Sequence, residues 1–190
     1  MKLDQNKKEL IKRIIIGVIV GLIVTAIYSY RYAIYYFYLR LRTPKTKSEE
    51  NNNIIKNLHP IFAYQVAKLV KSREDVGHSI ILTSGFRSWE QQAQLFEDGE
   101  TEAEAGDSLH NYGMAVDLNE DGQLKMNSST NAWINSGIVA EAKKLGMRWG
   151  GDFTNVDRVH FDYMEKFDIN QLKTLYNNGQ LVKKKYVKIW

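Results

Sequence analysis

Cysteine is absent from this 190-residue chain, and proline occurs only twice. With no thiols there is no disulfide scaffold and no thiolate-ligated zinc site, so any metal has to be held by the four histidines and by carboxylates. The missing thiols leave the redox compartment open. At 44% hydrophobic and 25% charged residues the composition is that of an ordinary globular domain rather than a disordered chain. Acidic residues are scarce in one place. Residues 1–47 hold two against ten basic ones, a net of +8, whereas residues 48–190 carry −4. The formal +4 of the whole chain therefore belongs to an N-terminal arm, and no nucleic-acid partner is expected for the mildly acidic remainder.

Charge is also missing from Ile14 to Tyr30, 17 residues that as a helix span roughly 25 Å. With Arg31 snorkelling, this run is long enough to cross a bilayer, and Tyr28, Tyr30, Tyr32, Tyr35, Tyr36 and Tyr38 crowd its far end like an interfacial belt. A cleaved signal peptide is the rival reading, but bulky Ile and Tyr residues interrupt every small-x-small site; a buried soluble helix is a third. Five basic residues flank each end, so charge does not orient the span. The organisation expected is an arm and transmembrane anchor over 1–42, a polar linker over 43–53 acting as a flexible tether, and a folded domain over 54–190.

Within that domain, Leu58, Ile61, Phe62, Val66, Leu69 and Val70 give a helix with one apolar face, and Ser79–Thr83 reads as a short strand. Ser88 and Gln91 form an S-x-x-Q capping box for a helix ending near Gly99, and residues 100–107 form an acidic loop. Met114–Leu118 and Val159–Tyr163 read as strands. Thr130–Leu145 reads as one helix closed by Gly146, and Asp168 caps a last helix stopped at Asn178-Gly179. The uneven interspersion of strands and helices points to an α+β fold with a single span in front.

Three segments carry candidate chemistry: Ser84–Ser88, Ser108–Asp117 and Asp157–Asp162. Strand alternation puts Ala115 and Asp117 on one face, and likewise His160 and Asp162. If the two strands are neighbours, Asp117 and His160 converge and His110 swings in from the preceding loop. Two imidazoles and one carboxylate with a position left open make a catalytic rather than a structural zinc arrangement. Asp157, three residues before His160, is placed to take a proton from an attacking water and return it to a leaving amine. Arg87, just after a strand and a glycine turn, suits a developing oxyanion or a substrate carboxylate.

The segments SGFRSWEQQ, SLHNYGMAVDL, WGGDF and DRVHFDY resemble the zinc-dependent D-alanyl-D-alanine carboxypeptidases, metallopeptidase family M15, over about Ser79 to Tyr163. The resemblance implies Zn2+ held by His110, Asp117 and His160, Asp157 as general base, and Arg87 as the cation facing substrate. It also implies a small antiparallel sheet flanked by helices, of the Hedgehog/DD-peptidase-like kind. Asp-x-x-His and Trp149–Asp152 resemble the short endolysin-like L-alanyl-D-glutamate endopeptidases of that family, from which the chain departs in carrying an N-terminal anchor. The expected activity is endopeptidase cleavage of peptidoglycan stem peptides by a monomer held in the cell membrane by a single N-terminal helix, with its catalytic domain outside the cytoplasm. The alternatives are a D-alanyl-D-alanine carboxypeptidase or dipeptidase on the same site, and a non-catalytic zinc- or wall-binding module.

Blander roles compete at several positions. His59, before Pro60, and His78, in a loop, read as satisfied polar residues. Asp162 is open between orienting an imidazole and ending a strand. Ser108 reads as loop support rather than nucleophile. Asn111, Tyr112 and Trp149 are divided between cleft lining and core, and Lys183–Lys185 reads as a solvated edge.

Overall fold

A computed structural model describes residues 4–164 and 167–189; the first three residues of the expected arm lie outside them. The chain opens with a 38-residue helix, α1 (Gln5–Arg42), whose apolar residues are exposed as far as Tyr30, and it is long and apolar enough to cross a membrane. Beyond that point one side of α1 turns inward. Tyr36 and Leu39 are buried, with Tyr32, Ala33 and Tyr35 packed against the same core.

The stretch read from sequence as a linker over 43–53 runs into a second helix, α2 (Glu49–Ile55). Its polar side chains serve the fold rather than solvent. Ser48 caps α2 by accepting the Asn51 N–H, and the Lys47 N–H donates to the Glu74 carboxylate at 2.9 and 3.0 Å. Asn51, buried, brackets a strand by donating to the Ile80 carbonyl and accepting the Leu82 N–H. An asparagine run can be polar because the backbone next to it needs partners.

Helix α3 (Pro60–Asp75) starts with proline at its first turn and His59 as N-cap, and buries the expected apolar face. It is followed by β1 (Ile80–Ser84) and α4 (Trp89–Glu97), in which both halves of the capping box at Ser88 and Gln91 are made. A 3-10 turn at Leu109–Tyr112 leads into β2 (Ala115–Glu120). The single helix expected over Thr130–Leu145 is two, α5 (Thr130–Ser136) and α6 (Ile138–Lys144). Gly137 between them has φ +88°, a left-handed conformation that ends one helix and redirects the next. Then come β3 (Arg148–Trp149), β4 (His160–Asp162), α7 (Ile169–Asn177) and the hairpin β5 (Leu181–Val182) and β6 (Tyr186–Val187).

Four strands form an antiparallel sheet in the order β1-β2-β4-β3. The α+β class and the small antiparallel sheet are as the sequence implies. Leu82, Val116, Leu118 and Phe161 join Phe62, Val66 and Trp133 in one core, so the opposite face of the sheet is left for polar side chains. Arg73 at the end of α3 makes a buried ion pair with Glu120 at the end of β2, at 2.6 Å.

His59 is wholly buried, its Nε2–H donating to the Val187 carbonyl at 2.9 Å while Nδ1 accepts the Ile61 N–H. Burial pushes its pKa down to about 4 from the usual 6.5, the Val187 bond opposing only in part. The folded state thus refuses a proton that the unfolded chain takes up below 6.5, so stability falls as pH drops through the window from 6.5 to 4. Between pH 7 and 5 the loss from this group is about 2 kcal/mol. Urea denaturation of the full chain in detergent is expected to show that loss, and the His59→Gln variant a profile flatter by the same amount.

Candidate active site

The polar face of the sheet carries a cluster built by strand register. Asp117 lies directly opposite His160 across β2 and β4, and Ser84 pairs with Asp117 from β1. His110 arrives from the 3-10 turn, which Ser108 opens by accepting the His110 N–H and which Gly113 closes at φ +65°. A side chain at Gly113 would put its Cβ 2.7 Å from the His59 backbone nitrogen, so the turn that aims His110 needs glycine both for its dihedral and for that approach.

One ligand atom each from His110, Asp117 and His160 lies within 4.8 Å of the others. The nitrogens that face away are tied down. His110 Nδ1–H donates to the Gly85 carbonyl at 2.6 Å, which turns Nε2 toward Asp117 Oδ1, 3.5 Å away. On His160, Nδ1 faces Asp117 Oδ1 at 3.1 Å, and Nε2 lies 3.4 Å from Asp162 Oδ2. Asp162 is buried and gripped by Arg148 through Nε and Nη2, at 2.8 and 2.7 Å. Its position decides the reading left open by the sequence: it is a partner of the imidazole. Two imidazoles with fixed outward N–H groups and one carboxylate are a donor set that fits zinc with a coordination position to spare.

The charges here are strongly coupled. Burial alone would raise the Asp117 pKa, but hydrogen bonds from His110 and His160 hold it well below the ordinary carboxylate range. Burial opposes charge on His160 too, yet the Asp117 and Asp162 carboxylates raise its pKa to about 9. Arg87 lies beside them, with Nη2 on Asp117 Oδ2 at 2.8 Å and Nε on Ser84 Oγ at 3.1 Å. Asp157 behaves in the opposite way. Burial, and then the charge of Asp117, push its pKa up, and its Oδ1 is buried without a hydrogen-bond partner.

All five sequence-derived candidates, Arg87, His110, Asp117, Asp157 and His160, line one cleft of about 480 Å³. Arg148 and Phe153 also line it and were not singled out from sequence. Strand pairing carries the missed signal for Arg148, which stands opposite Asp162 on β3. Asn111 supports the site from below, donating to the Arg87 and Ser88 carbonyls. Trp149 is core.

A family model described as D-alanyl-D-alanine carboxypeptidase matches residues 101–163, which include four of these five residues. A Bacillus subtilis (strain 168) protein, the peptidoglycan L-alanyl-D-glutamate endopeptidase CwlK, is 29% identical over 133 residues, covering 61% of this chain and 78% of its own. Over the stretch that carries the cluster, the chain is similar to metallopeptidase family M15. M15 peptidases are zinc hydrolases. The fold agrees with the crystal structure of Serratia marcescens L-Ala D-Glu endopeptidase ChiX, with a TM-score of 0.50 and 19% identity over 63% of this chain and 90% of that one.

The site geometry makes metal binding separable from hydrolysis. Titration of the full chain in detergent with zinc is expected to give one metal per chain, lost in His110→Ala and in His160→Ala. Asp162→Asn is expected to weaken zinc 10- to 100-fold, read by competition with a chelating dye, because the imidazole loses its anionic partner. Unchanged affinity in that variant would return Asp162 to a strand-end acid.

Proposed function

We propose that the chain is a membrane-anchored zinc endopeptidase that hydrolyses an amide bond in peptidoglycan stem peptides, with the L-alanyl-D-glutamate bond as its target. The observation that carries the reading is the pairing, in one cleft, of the His110–Asp117–His160 cluster with a half-buried Asp157 whose Oδ1 lacks a partner. His110, Asp117 and His160 would hold the zinc. When bound there, zinc supplies Lewis acidity that polarises an amide carbonyl and brings the pKa of water down to about 7. Asp157 takes the proton of the attacking water and passes it to the leaving nitrogen, and its raised pKa suits it to hold that proton between the two transfers. Arg87, fixed by Ser84 and Asp117, faces the negative charge that develops on the carbonyl oxygen.

Endopeptidase action is favoured over carboxypeptidase action by the charges of the cleft. Among the described residues that line it, the cations are Arg87 and Arg148, and each is already neutralised by a carboxylate. Glu100 and Asp107 add negative charge at the rim. With Arg87 given to the carbonyl oxygen and Arg148 to Asp162, neither is left for a substrate's terminal carboxylate, which the acidic rim would also repel. The kinship with CwlK supports the same bond. The second reading, removal of a terminal D-alanine, is favoured by the description of the matching family model.

The anchor reading draws support from the two halves of α1, one exposed and apolar, the other packed into the domain. A peptidase on this substrate works with residues 48–190 outside the cytoplasm. Muropeptides ending in D-alanyl-D-alanine, incubated with zinc and the full chain and resolved by mass, are expected to be cut after the first residue of the stem. Loss of a single terminal alanine would select the carboxypeptidase instead. Asp157→Asn is expected to keep its zinc while hydrolysis falls 10²- to 10⁴-fold; activity within a few-fold of the unsubstituted chain would move the base elsewhere.

A further inference from the structure

The helix that passes through the membrane does not stop before the domain begins. Tyr36 Oη donates to the Val187 carbonyl at 2.7 Å and accepts the Ile189 N–H at 2.9 Å, and its ring stands edge-on to His59 at 4.8 Å. One turn later, Arg40 donates to the carbonyls of Ile55 and Leu58 and to Tyr186 Oη. Just past the helix, Lys47 is bound to Glu74.

These bonds fix direction as well as position. Tyr36 sits at the start of α3 beside His59, and Lys47 sits near its end beside Glu74, so α1 and α3 run side by side the same way. Distance from the membrane therefore increases along α3 from Pro60 to Asp75. Strand β1 runs back, and the far end of the sheet is where Glu120 meets Arg73. The near half holds Ser84, Arg87, His110 and Asp117. A short path joins it to the helix. Arg40 holds the Leu58 carbonyl, the Leu58 and Ile54 side chains pack under Gly85, and the Gly85 carbonyl accepts His110 Nδ1–H. The next residue, His59, donates its N–H to the carbonyl of Gly113, which ends the His110 turn.

Tyr36 and Arg40 follow the apolar run's last residue, Tyr30, by six and ten positions, which in a helix is about 9 and 15 Å. The headgroup layer takes up roughly 5 to 7 Å of that height. An extended stem peptide of five residues reaches at most about 17 Å.

The geometry points to α1 as a rigid stalk whose docking residues Tyr36 and Arg40 stand about 9 and 15 Å along the helix from the end of the uncharged run and hold the cleft close to the membrane, so that the substrate is a stem peptide carried on a membrane-embedded lipid rather than one in distant wall. The inference rests on the peptidase reading above and adds to it where the substrate is attached.

The test compares two substrates with two forms of the full chain in phosphatidylcholine vesicles. One substrate is a free stem peptide, and the other is the same peptide joined through its amino end to a phosphatidylethanolamine headgroup in the same vesicle. The altered chain carries a seven-residue Ala/Glu/Lys helical insertion between Tyr30 and Arg31, which lifts the domain by about 10 Å at nearly unchanged helical phase and leaves every docking contact intact. The free peptide is expected to be cut at the same rate by both forms, and the lipid-linked peptide at least tenfold more slowly by the lifted one. Equal rates on the lipid-linked peptide, or an equal loss on both substrates, would overturn the stalk. Failure of the unaltered chain to cut either peptide would instead overturn the peptidase reading itself.

Discussion

The Asp117 carboxylate has to be taken out of water and kept charged, and the site follows from that requirement. Its side chain retains only 13% of its exposure. Desolvation on this scale favours the neutral acid, and the ionised form persists because three cationic or hydrogen-donating groups from three elements surround it: Arg87 after β1, His110 from the 3-10 turn, and His160 on β4. Removing one partner of such a buried group typically costs about 3–5 kcal/mol, because the remaining charge is left unpaired. The same carboxylate therefore draws His110 and His160 together and locks the β2–β4 register, making the cluster a consequence of the fold's own electrostatics.

How far the sequence could be read depended on whether a residue's role is local. His160 and Asp162 alternate along three residues of strand, and Ser88 and Gln91 are a cap complete within four, so pattern alone located them. The pairing of Asp117 with His160 was legible once the two strands were taken as neighbours. Arg148 was not, since nothing near Trp149 in the chain announces that its guanidinium closes on Asp162, 14 residues later. Asn51 failed for a related reason: an asparagine run looks the same whether it faces solvent or completes the hydrogen bonding of a distant strand. Gly137 breaks a helix that apolar periodicity continues straight through, because its φ of +88° is a property of the turn and not of the pattern.

The tyrosine cluster around the end of the apolar run is divided between two faces of one helix. Read as an interfacial belt it has six members, but Tyr28, Tyr30 and Tyr38 are exposed while Tyr32, Tyr35 and Tyr36 turn toward the domain with Leu39 and Arg40. Positions 32, 35, 36, 39, 40 and 43 follow the three-and-four spacing of a helix face that packs on a neighbour. The uncharged stretch and the docking face overlap in composition and differ in period, so a hydropathy scan merges what periodicity separates.

The clamp on Tyr36 also orders events in time. Its backbone partners lie 151 and 153 positions further along the chain, on and just after the last strand described. Contacts of that sequence separation form only after the loop-closure entropy of nearly everything between them has been overcome. A chain made from its N-terminus has α1 early and β6 late. Until β6 arrives, Tyr36 and His59 lack their carbonyl partners, and the segment Ile55–His59, on which the His110 turn leans, is held from one side only. Closure of the last described hairpin is thus the event that braces the His110 turn from both sides.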